Sequence, residues 1–213
     1  MRIGAREALR RGAFFLLFVL GTFGYFLTNR LGVLQVLPAR IVAWPLDALV
    51  PLVPAFVVPY LLFLPYVAGT ALVLFLDPSD RYYRFVWTVF AGMAAATAVF
   101  FLYPTAMDRP SLSGGDAFTS LLRLVYAADG PFDCLPSTHV FYSAVSAWHL
   151  LRLRPRARAL QAASLAFVLL VWASTVLVKQ HHLPDVPAGL ALAAAAVLAF
   201  EIPKEVRPWR RST

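Results

Sequence analysis

Long apolar runs separated by short arginine clusters are the feature that most limits what this chain can fold into. A helix of about 20 apolar residues crosses the roughly 30 Å hydrocarbon core of a bilayer. Of the 213 residues, 60% are hydrophobic and 14% are charged, and the mean hydropathy is +0.70. So few charged residues could not cover the surface of a soluble globule. The sequence therefore predicts an all-α, polytopic membrane protein.

The apolar runs predict six transmembrane helices in one bundle. Their expected ranges are 13–28, 54–76, 83–103, a fourth from near 136 to before 152, 159–178 and 183–202. Prolines break the segment 31–53, so this segment is expected to be interfacial or re-entrant. A short amphipathic helix is expected around 118–126. At this length we expect one domain, covering residues 1–213.

The basic residues set the expected orientation, because cytoplasmic segments of membrane proteins are rich in lysine and arginine. With the N-terminus inside, 14 of the 19 Lys and Arg residues fall in cytoplasmic segments. The five in outer segments are Arg30, Arg40, Arg109, Arg123 and Lys179. Both termini are therefore expected in the cytoplasm. Arginine clusters placed beside apolar runs indicate membrane topology rather than binding to nucleic acid.

Two short polar clusters are expected to meet on the outer side of this bundle. They read CLPSTHV at 134–140 and KQHHLPD at 179–185. Helix N-termini present free N–H groups and a partial positive charge, which favour anions. Histidines titrate near neutrality and can act as an acid, a base or a nucleophile. Two such clusters at helix starts favour phosphate chemistry.

Histidine and aspartate in these clusters are the candidate catalytic residues. His181 and Asp185 are four apart, so on a helix they share one face, and Asp185 could hold one ring nitrogen of the histidine. His182 is three residues from Asp185, and spacing alone does not choose between the two histidines. His139 is the candidate acid or base in the other cluster. Zinc bound by His139, His181 and Asp185 is an alternative use of the same residues.

The second cluster resembles the third motif of the type 2 phosphatidic acid phosphatase superfamily, which contains lipid phosphate phosphatases and phosphotransferases. That motif reads Ser-Arg, five residues, His, three residues, Asp. Ser174, His181 and Asp185 match it at every spacing, with Thr175 in place of the arginine. The sequence around these residues, KQH and DVPAG, is most similar to that of bacterial homologues of inositol phosphorylceramide synthase.

The other two motifs of that superfamily are similar in part. Pro-Ser-Gly-His corresponds to residues 136–139, which read PSTH. Lys, six residues, Arg-Pro corresponds to Arg109-Pro110, with Leu102 where the lysine stands. The resemblance covers about 103–189, and two of the cations typical of the family are replaced.

The resemblance implies a role for each candidate. His181 attacks phosphorus and becomes a phosphohistidine, Asp185 orients it, and His139 protonates the leaving oxygen and then activates the acceptor. The side chains expected to hold the phosphate oxygens are Arg109, Ser137, Thr138 and, in place of a missing cation, Lys179. No metal or other cofactor is implied. The expected location is a bacterial plasma membrane, with the site on the extracytoplasmic side.

Three functions are open at this stage. The first is hydrolysis of a lipid phosphate, and the second is transfer of the phosphoryl or phospho-headgroup unit to a lipid alcohol. The third is a non-catalytic membrane transporter or scaffold, which the two missing cations leave open. The expected partners are a lipid phosphate substrate and membrane lipids, with no nucleic acid, whereas the identity of the lipid and the oligomeric state are not specified by the sequence.

Overall fold

Helices make up most of the part of the chain that the structure describes. The computed structural model describes residues 4–34, 36, 38–153 and 158–200. Within them the α-helices are α1 (Ala5–Val33), α2 (Val57–Leu76), α3 (Arg81–Leu102), α4 (Ala117–Ala128), α5 (Thr138–Leu151), α6 (Arg158–Leu177) and α7 (Asp185–Phe200). Strands β1 (Arg40–Ile41) and β2 (Thr105–Ala106) pair in parallel, and 3₁₀ helices cover Pro45–Leu49 and Pro54–Phe56.

Four of the described helical segments are long and apolar enough to cross a membrane, by length and composition. They are Ala5–Gly32, Pro54–Leu76, Arg81–Leu102 and Arg158–Leu177. The predicted all-α membrane protein is therefore confirmed at this level. Helices α5 and α7 have 14 and 16 residues, or roughly 21–24 Å at 1.5 Å per residue. Because both are shorter than a bilayer core, the number of six spans stays a prediction.

Helix α1 begins eight residues before the predicted apolar run, because a buried arginine holds its first turns inside the bundle. Arg11 is 2% exposed. Its guanidinium donates to the carboxylate of Glu7 at 2.8 Å and to four carbonyls at the end of α2 and in the following turn. Helix-end carbonyls lack partners within their own helix. The arginine therefore joins α1 to α2 and does more than set topology.

The proline-broken segment lies across the end of the bundle where α6 ends and α7 begins. We call residues 40–53 the strap. The N–H of Val53 donates to the carbonyl of Leu177 at 2.9 Å, and Asp47 Oδ1 accepts from the N–H of Leu183 at 2.7 Å. Trp44 is exposed. The strap is thus tied to both sides of the loop that joins α6 to α7.

A glycine brings the two polar clusters together. A Cβ on Gly189 of α7 would lie 2.6 Å from the carbonyl oxygen of Ser137 and 2.9 Å from Cβ of Val140. Both distances are shorter than a side chain tolerates, so only glycine permits this approach. Helix α7 consequently packs directly on the first turn of α5.

Candidate active site

The starts of α5 and α7 meet through a backbone hydrogen bond. The N–H of Ser137 donates to the carbonyl of Asp185 at 3.1 Å. Ser137 also caps α5, because its Oγ accepts from the N–H of Val140 at 3.4 Å. Thr138 is the first residue of α5 and is buried. The two clusters therefore come together as the sequence predicts, although the phosphate-binding roles of Ser137 and Thr138 stay predictions.

His181 and Asp185 form a buried pair. His181 Nδ1 lies 3.1 Å from Asp185 Oδ2, and the two residues are 5% and 1% exposed. The same oxygen accepts from the backbone N–H of His182 at 3.0 Å. Because Asp185 bonds the ring of His181 but only the backbone of His182, the geometry favours His181 as the oriented histidine, a choice that spacing left open.

The pair does not lie on one helix face as expected, because α6 ends before His181. Lys179 has φ +55°, the left-handed conformation that commonly ends a helix. The N–H of Gln180 donates to the carbonyl of Thr175, and that of Lys179 to the carbonyl of Val176. This is a Schellman motif. His181 is consequently in a loop, and Asp185 reaches it from the first turn of α7.

His139 faces His181 across the site. Their ring centres are 5.6 Å apart with the planes at 71°. Tyr60 and Phe63 of α2 enclose His139, with ring centres at 4.5 and 4.6 Å. Among the described residues, Nδ1 of His139 has no hydrogen-bond partner. Neither aromatic residue was predicted as part of the site, because in an apolar run each resembles any lipid-facing residue.

Arg109 is bound mainly by the protein itself. Nη1 donates to the carbonyls of Asp129 at 2.6 Å and Tyr126 at 3.3 Å. Nη2 donates to the carbonyl of Gly130 at 2.8 Å and to Oε1 of Gln180. The buried Nε has no partner in the described part of the chain. All four Nη hydrogens are therefore in use, so only the Nε–H remains for a ligand.

The residues that replace the two missing family cations, Thr175 and Leu102, carry no charge. Thr175 Oγ1 donates to the carbonyl of Trp172 at 2.8 Å. Leu102, the last residue of α3, is 79% exposed. Lys179 Nζ donates to the carbonyl of Val50 in the strap at 2.6 Å. Lys179 as a replacement cation for phosphate stays a prediction, since its ammonium group lies on the strap here.

Metal ligands in the described residues differ from the predicted set. Cys134, His181 and Asp185 place one potential ligand atom each within 4.8 Å of one another, whereas the sequence suggested His139 as the third ligand. Burial raises the pKa of the Cys134 thiol well above its ordinary value. Since thiolate is the form that binds metals, this cysteine would have to lose its proton as a metal bound.

Two carboxylates behind the site were not predicted, the buried Asp133 and the partly buried Asp129. Asp129 accepts from the Tyr25 hydroxyl at 2.8 Å, and Asp133 accepts from the Thr28 hydroxyl at 2.6 Å. Burial raises the pKa of Asp129, while the nearby Arg109 and His181 act to lower it. Helix α1 thereby fixes the loop that carries the carbonyl groups bound by Arg109.

The raised pKa of Asp133 predicts that the protein loses stability as the pH rises from about 4 to about 7. Burial raises this pKa to about 7, although the bond from Thr28 acts to lower it. The unfolded value is near 3.9, so within this window the folded protein holds a proton that the unfolded chain has released. Each pH unit then lowers the free energy of unfolding by up to about 1.4 kcal/mol.

Asp133→Asn tests this pH dependence, because asparagine keeps an acceptor for Thr28 but cannot ionise. The melting temperature of the variant should fall less than that of the wild type between pH 5 and pH 8. Equal decreases in both proteins would contradict the prediction.

Comparison with known proteins places these residues in a family. A family model described as the PAP2 superfamily matches residues 51–199, which is more than half of the chain and includes both histidine clusters and Arg109. No curated protein and no solved structure matches the chain. Members of this superfamily are generally phosphoryl-transfer enzymes that act on lipid phosphates. By this match, and with its paired histidines at the starts of two packed helices, the chain belongs to the PAP2 superfamily.

Proposed function

We propose that the protein is an integral membrane phosphatase that hydrolyses a lipid phosphomonoester or pyrophosphate through a phosphohistidine at His181. The observation that carries the proposal is the 3.1 Å contact of His181 Nδ1 with the buried Asp185 carboxylate, opposite the ring of His139. This contact leaves Nε2 of His181 for attack. The remaining steps follow from the chemistry of the two histidines.

In the first step, the Nε2 lone pair of His181 forms a bond to phosphorus while the bond from phosphorus to the lipid oxygen breaks. Protonated His139 gives its proton to that oxygen, which leaves as the lipid alcohol. Asp185 stabilises the positive charge that develops on the His181 ring. A covalent intermediate divides a slow displacement into two easier steps.

In the second step, neutral His139 takes a proton from water, and the water oxygen attacks phosphorus. The bond from phosphorus to His181 breaks, inorganic phosphate leaves, and both histidines return to their starting state. No metal or cofactor is part of this proposal.

The proposal places the site on the extracytoplasmic side of a bacterial plasma membrane, with six spans and both termini inside. Arg11 and Arg81 lie at the α2–α3 turn, the end of the bundle opposite the histidines. Both belong to the 14 basic residues that are expected in cytoplasmic segments. Several other residues in that count lie outside the described residues: Arg2, Arg154, Arg156, Lys204, Arg207, Arg210 and Arg211. The basic end supports the orientation because cytoplasmic segments carry the excess of arginine.

Phosphotransfer to a lipid alcohol, as in the inositol phosphorylceramide synthase-like branch, is the second candidate. It uses the same first step, and an alcohol replaces water in the second. Thr175 and Leu102 favour it, since a phosphodiester donor carries less negative charge than a phosphomonoester and needs fewer cations.

A panel of lipid phosphates tests the proposed function. We expect the purified protein to release inorganic phosphate from at least one of phosphatidic acid, phosphatidylglycerol phosphate and a polyprenyl pyrophosphate, and orthovanadate to inhibit this reaction. Formation of a new phospholipid, without release of phosphate, would support the transferase instead. If no substrate yields inorganic phosphate or a new phospholipid, the result would favour a transporter or scaffold and would overturn the enzymatic proposal.

A further inference from the structure

Gln180 is the residue next to His181 whose side chain the proposed mechanism leaves unused. It is 4% exposed, and its Oε1 accepts from Nη2 of Arg109. A guanidinium has donors only, so the amide oxygen must face Arg109 and the amide nitrogen must point away from it. Within the described part of the chain, this buried nitrogen has no hydrogen-bond partner.

A second buried donor without a partner belongs to the guanidinium that bonds this amide. Nε of Arg109 is buried and unbonded among the residues that the structure describes, although both Nη atoms of the same guanidinium are bonded. Buried donors without partners are rare in native proteins, and each is a reason to look for an unseen ligand. Two such donors on side chains that bond each other fit an acceptor-rich group such as phosphate.

Both donors belong to residues near His181, the proposed nucleophile. Gln180 precedes His181 in the loop, and the charges of Arg109 and His181 both act on the Asp129 carboxylate. The side chain at the family's arginine position, Thr175, donates instead to a carbonyl of its own helix. A phosphoryl group bound to His181 therefore needs another residue to donate hydrogen bonds to its oxygens.

We propose that the Gln180 amide N–H and the Arg109 Nε–H together bind non-bridging oxygens of the transferred phosphoryl group, in place of the arginine that the family carries at position 175. This proposal rests on the proposed function. The glutamine has two tasks, since its oxygen holds the guanidinium in place and its nitrogen binds the substrate. The anion site consequently contains one permanent cation and a neutral amide.

Two substitutions separate these tasks. Gln180→Glu keeps an acceptor for Arg109 but removes the donor, whereas Gln180→Met is neutral and removes both. The full-length protein would be compared with each variant for kcat/KM on the substrate that the lipid panel identifies. Protection against thermal unfolding by inorganic phosphate and by orthovanadate would be measured in parallel.

Both variants should lose at least about 100-fold in kcat/KM, the scale seen when one oxyanion donor is removed, and should lose protection by phosphate. The control is Gln161→Glu, because Gln161 binds carbonyls at the far end of α5, roughly 18 Å along the helix from His139. It should stay within about threefold of the wild type.

The outcomes distinguish this inference from the proposed function. If a folded Gln180→Glu or Gln180→Met keeps kcat/KM within threefold and keeps phosphate protection, the inference is wrong while the phosphatase proposal stands. If the wild type turns over no lipid phosphate but phosphate protects it and does not protect the variants, the anion site stands and the phosphatase proposal fails. Should neither variant fold, Gln180→Leu, which has neither a donor nor an acceptor, takes their place: unchanged protection by phosphate would overturn the inference, and lost protection would support it.

Discussion

His181→Ala is expected to abolish turnover, with a loss of at least about 10³-fold in kcat. The reason is that alanine removes the nitrogen that would form the covalent bond to phosphorus. Among the described residues, Asp185 orients no other histidine ring. The measurement is release of phosphate from the lipid substrate, together with acid-labile, base-stable labelling of the protein by ³²P-labelled substrate. We expect label on the wild type and none on the variant.

His182→Ala is the matched comparison for that experiment. Its backbone N–H bonds Asp185, and alanine keeps this bond while it removes the neighbouring imidazole. The variant should therefore retain the labelling and lose far less activity than His181→Ala. The opposite ranking of the two variants would identify His182 as the nucleophile, and equal full activity of both would remove the phosphohistidine mechanism.

Gly189→Ala is expected to destabilise the protein by about 2–3 kcal/mol and to lower kcat by roughly 10²-fold. The added Cβ would lie 2.6 Å from the carbonyl oxygen of Ser137, so α7 must move away from α5. That movement separates Asp185 from Ser137 and shifts His139 relative to His181. Thermal unfolding in detergent and the activity assay together measure both effects.

Gly69→Ala is the control for this substitution, because nothing lies within 4 Å of a Cβ built on Gly69 in α2. Alanine is the better helix former by about 0.8–1.0 kcal/mol, so Gly69→Ala should keep or raise the melting temperature. A similar loss in both variants would show that the helix contact at Gly189 is not the cause.

Periodic and compositional features of the sequence predicted most of the helices well. The ranges 159–178 and 118–126 differ by only one or two residues from α6 (Arg158–Leu177) and α4 (Ala117–Ala128), because apolar runs bounded by charged residues have few alternatives in a membrane protein. The start of α1 was predicted too late. A run of apolar residues does not reveal that Arg11 finds four carbonyls more than 60 residues away.

The convergence of the candidate residues could be predicted from the sequence, but their geometry could not. His139, His181 and Asp185 do lie together. Their places near helix starts and the distribution of basic residues had predicted that they would share one end of the bundle. What each donor bonds depends on tertiary contacts that spacing does not encode. The Nη groups of Arg109 donate to backbone carbonyls. Lys179 ends α6 in the left-handed conformation, which glycine adopts more often.

The contacts between the strap and the loop that joins α6 to α7 also set an order of events during synthesis. Asp47 and Leu183 are 136 positions apart, and Val50 is 129 positions from its partner Lys179. A ribosome therefore delivers the strap to the membrane surface long before its partners exist. A nascent chain that stops after α5 therefore leaves Asp47 without the Leu183 amide and lacks His181, the proposed nucleophile.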